Sequence, residues 1–195
     1  MSKEIRLSKP NEKGSVSIEE ALLKRRSVRD YNKSSLSLEE VSQCLWAGTG
    51  KNLYRRTAPS AGATYPLEIY LVVGEVEGLE PGVYRYSISK HHLERVTDGD
   101  VRRGLSRAAL EQGMIERAPI SVIITADYHR TTGHYDQRGI RYVHMEVGHV
   151  GQNISLQALA LNMGTVMIGA FDDQQVKEIL GIEEEPLYII PVGKI

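Results

Sequence analysis

Between Ile140 and Met163 the apolar residues Ile140, Val143, Val147, Val150, Ile154 and Leu161 recur at steps of three and four, the signature of one long helix. A helix of this length must lay its stripe against something, so it constrains the rest of the chain. In its second half Leu156, Leu159 and Ala160 put apolar groups on further faces, which predicts burial there. Gly148 and Gly151 would admit a close neighbour, either another subunit or the chain's own core.

The remaining elements are read around that helix. Residues 1–16 are polar, broken by Pro10 and Gly14, and read as an N-terminal arm ahead of a single domain spanning 17–195. Ser17-Ile18-Glu19-Glu20 and Ser37-Leu38-Glu39-Glu40 are capping boxes, each opening a helix; these run to about Arg26 and Gly48. Strands are predicted at 69–73 and 119–126, with a hairpin from 83–86 and 93–96 whose tip carries His91 and His92. Asp98 is placed to cap a helix reaching about Gln112, and the polar stretch 127–139 reads as a mobile loop. After the long helix come a strand at 165–168, a helix begun by Asp172 or Asp173 and stopped by Gly181, and a strand at 186–193. No βαβ alternation runs through this order, which points to an α+β fold with helices around one mixed sheet.

Charge excludes some functions. With 24 Lys+Arg against 25 Asp+Glu there is no global field to attract nucleic acid or an anionic membrane. No apolar segment is long enough to span a bilayer, none resembles an export signal, and Cys44 stands alone, so the expected setting is cytoplasmic. Cys44 lies beside an apolar stripe and reads as core. His144 and His149 are five apart on one helix, on different faces, so no metal site is expected there. Gly-x-Ser-x-Gly, Gly-x-Gly-x-x-Gly and the P-loop pattern are all missing.

Two stretches remain as candidates. Arg25, Arg26 and Arg29, with Ser27 among them, are either a solvated helix end or a grip for a phosphate. Pro59-Ser60-Ala61-Gly62-Ala63 is either a plain turn or a surface that lets a flat ligand lie against the main chain.

Arg25-Arg26-Ser27-Val28-Arg29-Asp30-Tyr31, Pro59 to Glu68, Gly148-His149-Val150-Gly151-Gln152-Asn153, Ile168-Gly169-Ala170-Phe171-Asp172-Asp173 and the final Pro191-Val192-Gly193, in that order, resemble the nitroreductase family of FMN-dependent oxidoreductases, and within it the SagB-type dehydrogenases. The resemblance implies a homodimer with FMN at the interface and the long helix in that interface. It implies that Arg25, Ser27 and Arg29, with Arg26 nearby, hold the phosphate and ribityl chain. Pro59, Ser60, Ala61, Gly62 and Ala63 of the other subunit would line the ring, and Ile168, Gly169 and Ala170 would offer backbone beside it. NADH or NADPH would reduce the flavin and a nitroaromatic, quinone or similar small acceptor would reoxidise it. Two departures stand out. His134-Tyr135 occupies the place where the azoline-oxidising branch carries a Lys-Tyr pair for proton removal, which leaves azoline dehydrogenation of a peptide as an alternative, and a non-catalytic flavin-binding partner or sensor as another. At the end of the chain, Lys194 stands as a substitute for a later cationic phosphate contact.

Overall fold

The computed structural model describes residues 4–195. In chain order the elements are β1 (Glu4–Arg6), α1 (Ile18–Lys24), α2 (Leu38–Thr49), a 3-10 turn (Ala61–Ala63), β2 (Leu67–Val73), β3 (Gly82–Ser87), β4 (His92–Asp98), α3 (Arg102–Ala108), α4 (Met114–Arg117), β5 (Ile120–Ala126), α5 (His129–Tyr135), α6 (Arg138–Ala160), β6 (Met163–Thr165), α7 (Asp173–Leu180) and β7 (Glu185–Lys194). The strands form one sheet in the order β1-β4-β3-β2-β5-β7-β6.

The α+β arrangement is as expected, but the sheet is not mixed. Every ladder between strands is antiparallel, and parallel pairing is confined to isolated bridges at Ser27–Thr165 and Leu36–Val76. Residues 4–6, expected to lie in a polar arm, pair with β4 as an edge strand, because backbone pairing needs no apolar side chains.

β2 and β5 are buried along their whole length, since helices cover both faces of the sheet. Ile69, Leu71 and Val73 point toward α2 and α6, while Tyr70 and Val72 point toward α3, α4 and α7. The tight packing of α2 on α6 occurs at Gly48, where an added Cβ would lie 3.0 Å from Ile154. Gly148, expected to receive a neighbour, faces open space. α6 is also less enclosed than its composition suggests: Val147, Val150, Ile154 and Ala158 are buried, Leu156 and Leu159 are half-buried, and Met145 is exposed.

Three local expectations give way to tertiary contacts. The helix predicted from Asp98 begins instead at Arg102, ends at Ala108 with Leu110 and Glu111 left-handed, and resumes as α4. The predicted loop 127–139 contains α5, held because Asp127 accepts the His129 amide and buried Thr131 meets the Thr64 hydroxyl at 2.8 Å. The hairpin histidines do not simply decorate a tip. His92 is buried, and His91 lies within hydrogen-bonding distance of the Tyr86 and Ser42 hydroxyls, at 2.7 and 2.9 Å.

Candidate functional site

The arginine segment leaves α1 and is threaded between two strand ends. Ser27 bridges Thr165, Val28 donates its amide to the Thr165 carbonyl at 2.9 Å, and Val28 is buried. The approach is close enough that a Cβ on Gly164 would fall 2.6 Å from the Val28 Cβ. Tyr31 then staples the segment to β7, its hydroxyl donating to the carbonyls of Val28 at 3.0 Å and Pro191 at 3.4 Å. Burial raises the Tyr31 pKa, so the hydroxyl remains a donor.

This threading leaves the three guanidiniums outward. Arg25 and Arg26 border a cleft floored by Ser155, Leu159 and Thr165, and Arg26 and Arg29 border the adjoining one beside Tyr31 and Ile195. Of the acids close in sequence, Glu20 is engaged by Lys24 and Asp30 by Arg117 at 3.4 Å. None of Arg25, Arg26 and Arg29 forms an ion pair among the described residues, so the donor set suits a phosphate. Lys194 is not in this group in the way the sequence reading expected. Its ammonium lies 3.3 Å from Glu40, whose other oxygen caps α2 at the Ser37 amide.

The small-residue loop is a separate structure, at the other half of α6. Gly62, Ala63 and Tyr65 all have positive φ (58°, 54° and 48°), with right-handed Thr64 between them, left-handed backbone that stores strain and exposes main chain. Three contacts hold it. The Ser60 hydroxyl, beside the buried Glu146 of α6, accepts the Tyr65 amide at 3.0 Å. Arg130 donates to the Tyr65 carbonyl at 3.2 Å. Tyr135 of α5 covers Gly62 so closely that a Cβ there would sit 2.8 Å from the tyrosine oxygen. Pro59 and Gly62 are exposed, Ala61 and Ala63 half-buried. His134 is exposed and packs edge-on against Tyr135, with ring centroids 4.6 Å apart.

Glu146 and Ser155, which mark the two groups, are nine residues apart on α6, about 14 Å along its axis. The third expected stretch is again distinct. Ile168 is buried and bridges Ile189, while Gly169 and Ala170 are exposed backbone beside Tyr188, and the Ala170 carbonyl accepts from Gln112 at 3.1 Å.

Several charged groups near the loop escaped sequence reasoning. Glu68, 8% exposed within β2, holds Arg130 through one oxygen at 2.7 Å and Arg85 through the other at 2.9 Å. The Arg56 guanidinium stacks 4.1 Å above the Tyr65 ring. Burial holds the Glu146 carboxyl above the usual carboxylate range, against the lowering influence of Ser60 and Arg56. At the far edge of the sheet, Glu4, His92 and Glu94 bring ligand-type atoms within 4.8 Å of one another. There His92 already meets Glu94 at 2.7 Å, and Lys90 lies 3.4 Å from Glu4.

Among the described residues no helix is long and apolar enough to cross a membrane. The chain is 52% identical over 181 residues to a protein of Methanocaldococcus jannaschii whose name assigns it to the nitroreductases, covering 92% of this chain and 91% of that one. It is 27% identical over 211 residues to the trifolitoxin operon protein TfxC of Rhizobium leguminosarum, covering 96% of this chain and 58% of the relative. Among solved structures, a nitroreductase-like protein from Anabaena variabilis superposes with a TM-score of 0.87 at 31% identity, over 99% of this chain and 42% of that one. The nitroreductase family model matches residues 22–194, nearly the whole chain, and the chain belongs to that family.

Proposed function

We propose that the protein is an FMN-dependent oxidoreductase that takes electrons from NADH or NADPH and delivers them to nitroaromatic, quinone or similar small acceptors in alternating half-reactions. Members of the family are in general flavin-using oxidoreductases. The observation that carries the reading is the set of three guanidiniums without acidic partners, fixed beside Ser27 by the Val28 and Tyr31 hydrogen bonds.

Bound FMN supplies the hydride acceptor and donor, at its N5. The chain's own residues bind, orient and exclude water. Arg25, Arg26 and Arg29 are assigned to the phosphate, and Ser27 to a ribityl hydroxyl. The strained loop from Pro59 to Ala63 offers a flat, nearly side-chain-free face to a ring, and Gly169 and Ala170 offer exposed backbone. Tyr135, pinned over Gly62, is the group best placed to hold a proton beside that face. A homodimer with one chain's arginines facing its partner's loop accounts for the separation of the two groups along α6. It also accounts for exposed Ile18, Leu22 and Leu23 on α1 and Met145 on α6, which a second copy would cover.

The test is the absorption spectrum of the purified protein, followed by nicotinamide oxidation in the presence of a nitroarene. A flavin spectrum and turnover are expected, with FMN retention weakened by Arg25→Ala and by Arg29→Ala. A colourless protein that refuses added FMN refutes the reading, and unchanged retention in both variants refutes the phosphate assignment. A second reading, azoline peptide dehydrogenase, has the likeness to TfxC in its favour and the replacement of the branch's Lys-Tyr pair by His134-Tyr135 against it. Flavin reduced by a thiazoline peptide and by neither nicotinamide would select it.

A further inference from the structure

The segment between α2 and the small-residue loop is built to present one side chain. Asn52 accepts the amides of Tyr54 and Arg55 and donates to the Arg56 carbonyl at 2.7 Å, while Thr57 closes the turn on Gly50 and Trp46. Arg56 is thereby turned inward and half-buried, its guanidinium stacked on Tyr65, into a cleft of about 230 Å³ that it lines with Glu68, Arg85, Tyr86 and Ser89.

Stacking uses the face of a guanidinium and leaves its in-plane donors for an acceptor. No such acceptor is supplied from within: Arg56 makes no side-chain hydrogen bond or ion pair among the described residues. The carboxylates lining the cleft are already engaged. Glu68 divides its oxygens between Arg85 and Arg130, and Glu94 on the cleft wall is held by His92. Glu68 is thus fully committed to Arg85 and Arg130, and the Arg56 guanidinium faces a space too small for most drug-sized ligands.

We propose that the cleft at Arg56 is a subsite for a small organic carboxylate, taken in the plane of the guanidinium. Tyr65, under the Arg56 guanidinium, is hydrogen-bonded to Ser60 of the loop assigned to the flavin ring, so the carboxylate is one carried by the electron acceptor. That last role rests on the function proposed above, whereas binding of the carboxylate does not.

The protein as purified, with whatever flavin it carries, is titrated calorimetrically with sodium benzoate, benzyl alcohol and inorganic phosphate, alongside Arg56→Gln and Arg56→Lys. Benzoate is expected to bind at least tenfold more tightly than the alcohol. Arg56→Gln should weaken benzoate at least tenfold, with Arg56→Lys between. Benzoate and alcohol binding alike in the wild-type protein, which needs no variant to fold, overturns the proposal. So does benzoate binding that Arg56→Gln leaves intact, or an Arg56-dependent signal equally large with phosphate. In turnover, the kcat/KM ratio of 4-nitrobenzoate to 4-nitrobenzyl alcohol should fall about tenfold in Arg56→Gln, through KM. Benzoate binding without turnover of either nitroarene refutes the oxidoreductase reading alone. Equal turnover of both, without benzoate binding, refutes the subsite alone.

Discussion

Gly62→Ala is the substitution whose cost follows most directly from the geometry. The residue sits at φ 58°, ψ 12°, where an L side chain is disfavoured by about 1–2 kcal/mol. The new methyl would also lie 2.8 Å from the Tyr135 oxygen and 3.2–3.3 Å from its ring, inside contact distance. Tyr135 is itself packed edge-on against Tyr142 and His134, so it cannot simply swing away. Relieving that overlap adds about 1 kcal/mol or more. The sum, about 2–3 kcal/mol, corresponds to a fall in Tm of roughly 4–12 °C for a chain of this size. The two contributions separate in a double-mutant cycle with Tyr135→Phe, which removes the atom nearest the new methyl but leaves the backbone term. Gly62→Ala/Tyr135→Phe should be less destabilised than the sum of the single variants by at least about 0.5–1 kcal/mol in urea unfolding. Additivity of the cycle within error would refute the contact between α5 and the loop. A single variant as stable as the parent would refute the strained backbone.

Two other outcomes follow from buried titratable groups. Burial and nearby Glu40 push the Cys44 thiol up to about 12, so a thiol reagent should label nothing in the folded protein near pH 8 and one thiol per chain in denaturant; rapid native labelling would place Cys44 outside the core. Because the folded Glu146 pKa is raised, its stabilising contribution is full below the unfolded value and is lost as pH rises through the folded one. Glu146→Gln should therefore be at least as stable as the parent above neutrality and gain relative to it with rising pH. A Gln variant that loses stability steadily with rising pH, relative to the parent, would show the carboxylate to be the favoured form.

What the sequence carried locally, the fold kept. The serines at 17 and 37 cap their helices, Asp172 caps α7 through the Gln175 amide, and Gly181 ends it left-handed at φ 71°. What it did not carry were partnerships decided at long range. Nothing in Glu4-Ile5-Arg6 announces a strand, because the free edge of β4 supplies the pairing. His129 to Tyr135 has Arg130 as its one strong helix former and is shaped by Asp127, Thr64 and Glu68 from outside.

The same distinction separates the parts of the candidate site. The arginines and the small-residue loop were legible because each is a contiguous run whose residue types already suit an anion or a flat surface. Arg56, Glu68 and Glu146 were not, because no one of them means anything alone, and Tyr135 stood out only through the family resemblance. Glu68 looks like a polar interruption of a strand until Arg85 arrives from β3 and Arg130 from α5. Together those ion pairs join the sheet to α5, while the loop packs on α6 with Ser60 beside Glu146. The loop's left-handed backbone is thus held from three directions, by the sheet, α5 and α6, which is what a strained segment requires to persist. A change at Glu68 should accordingly be felt at Gly62 through Arg130, whose guanidinium holds both Glu68 and the Tyr65 carbonyl.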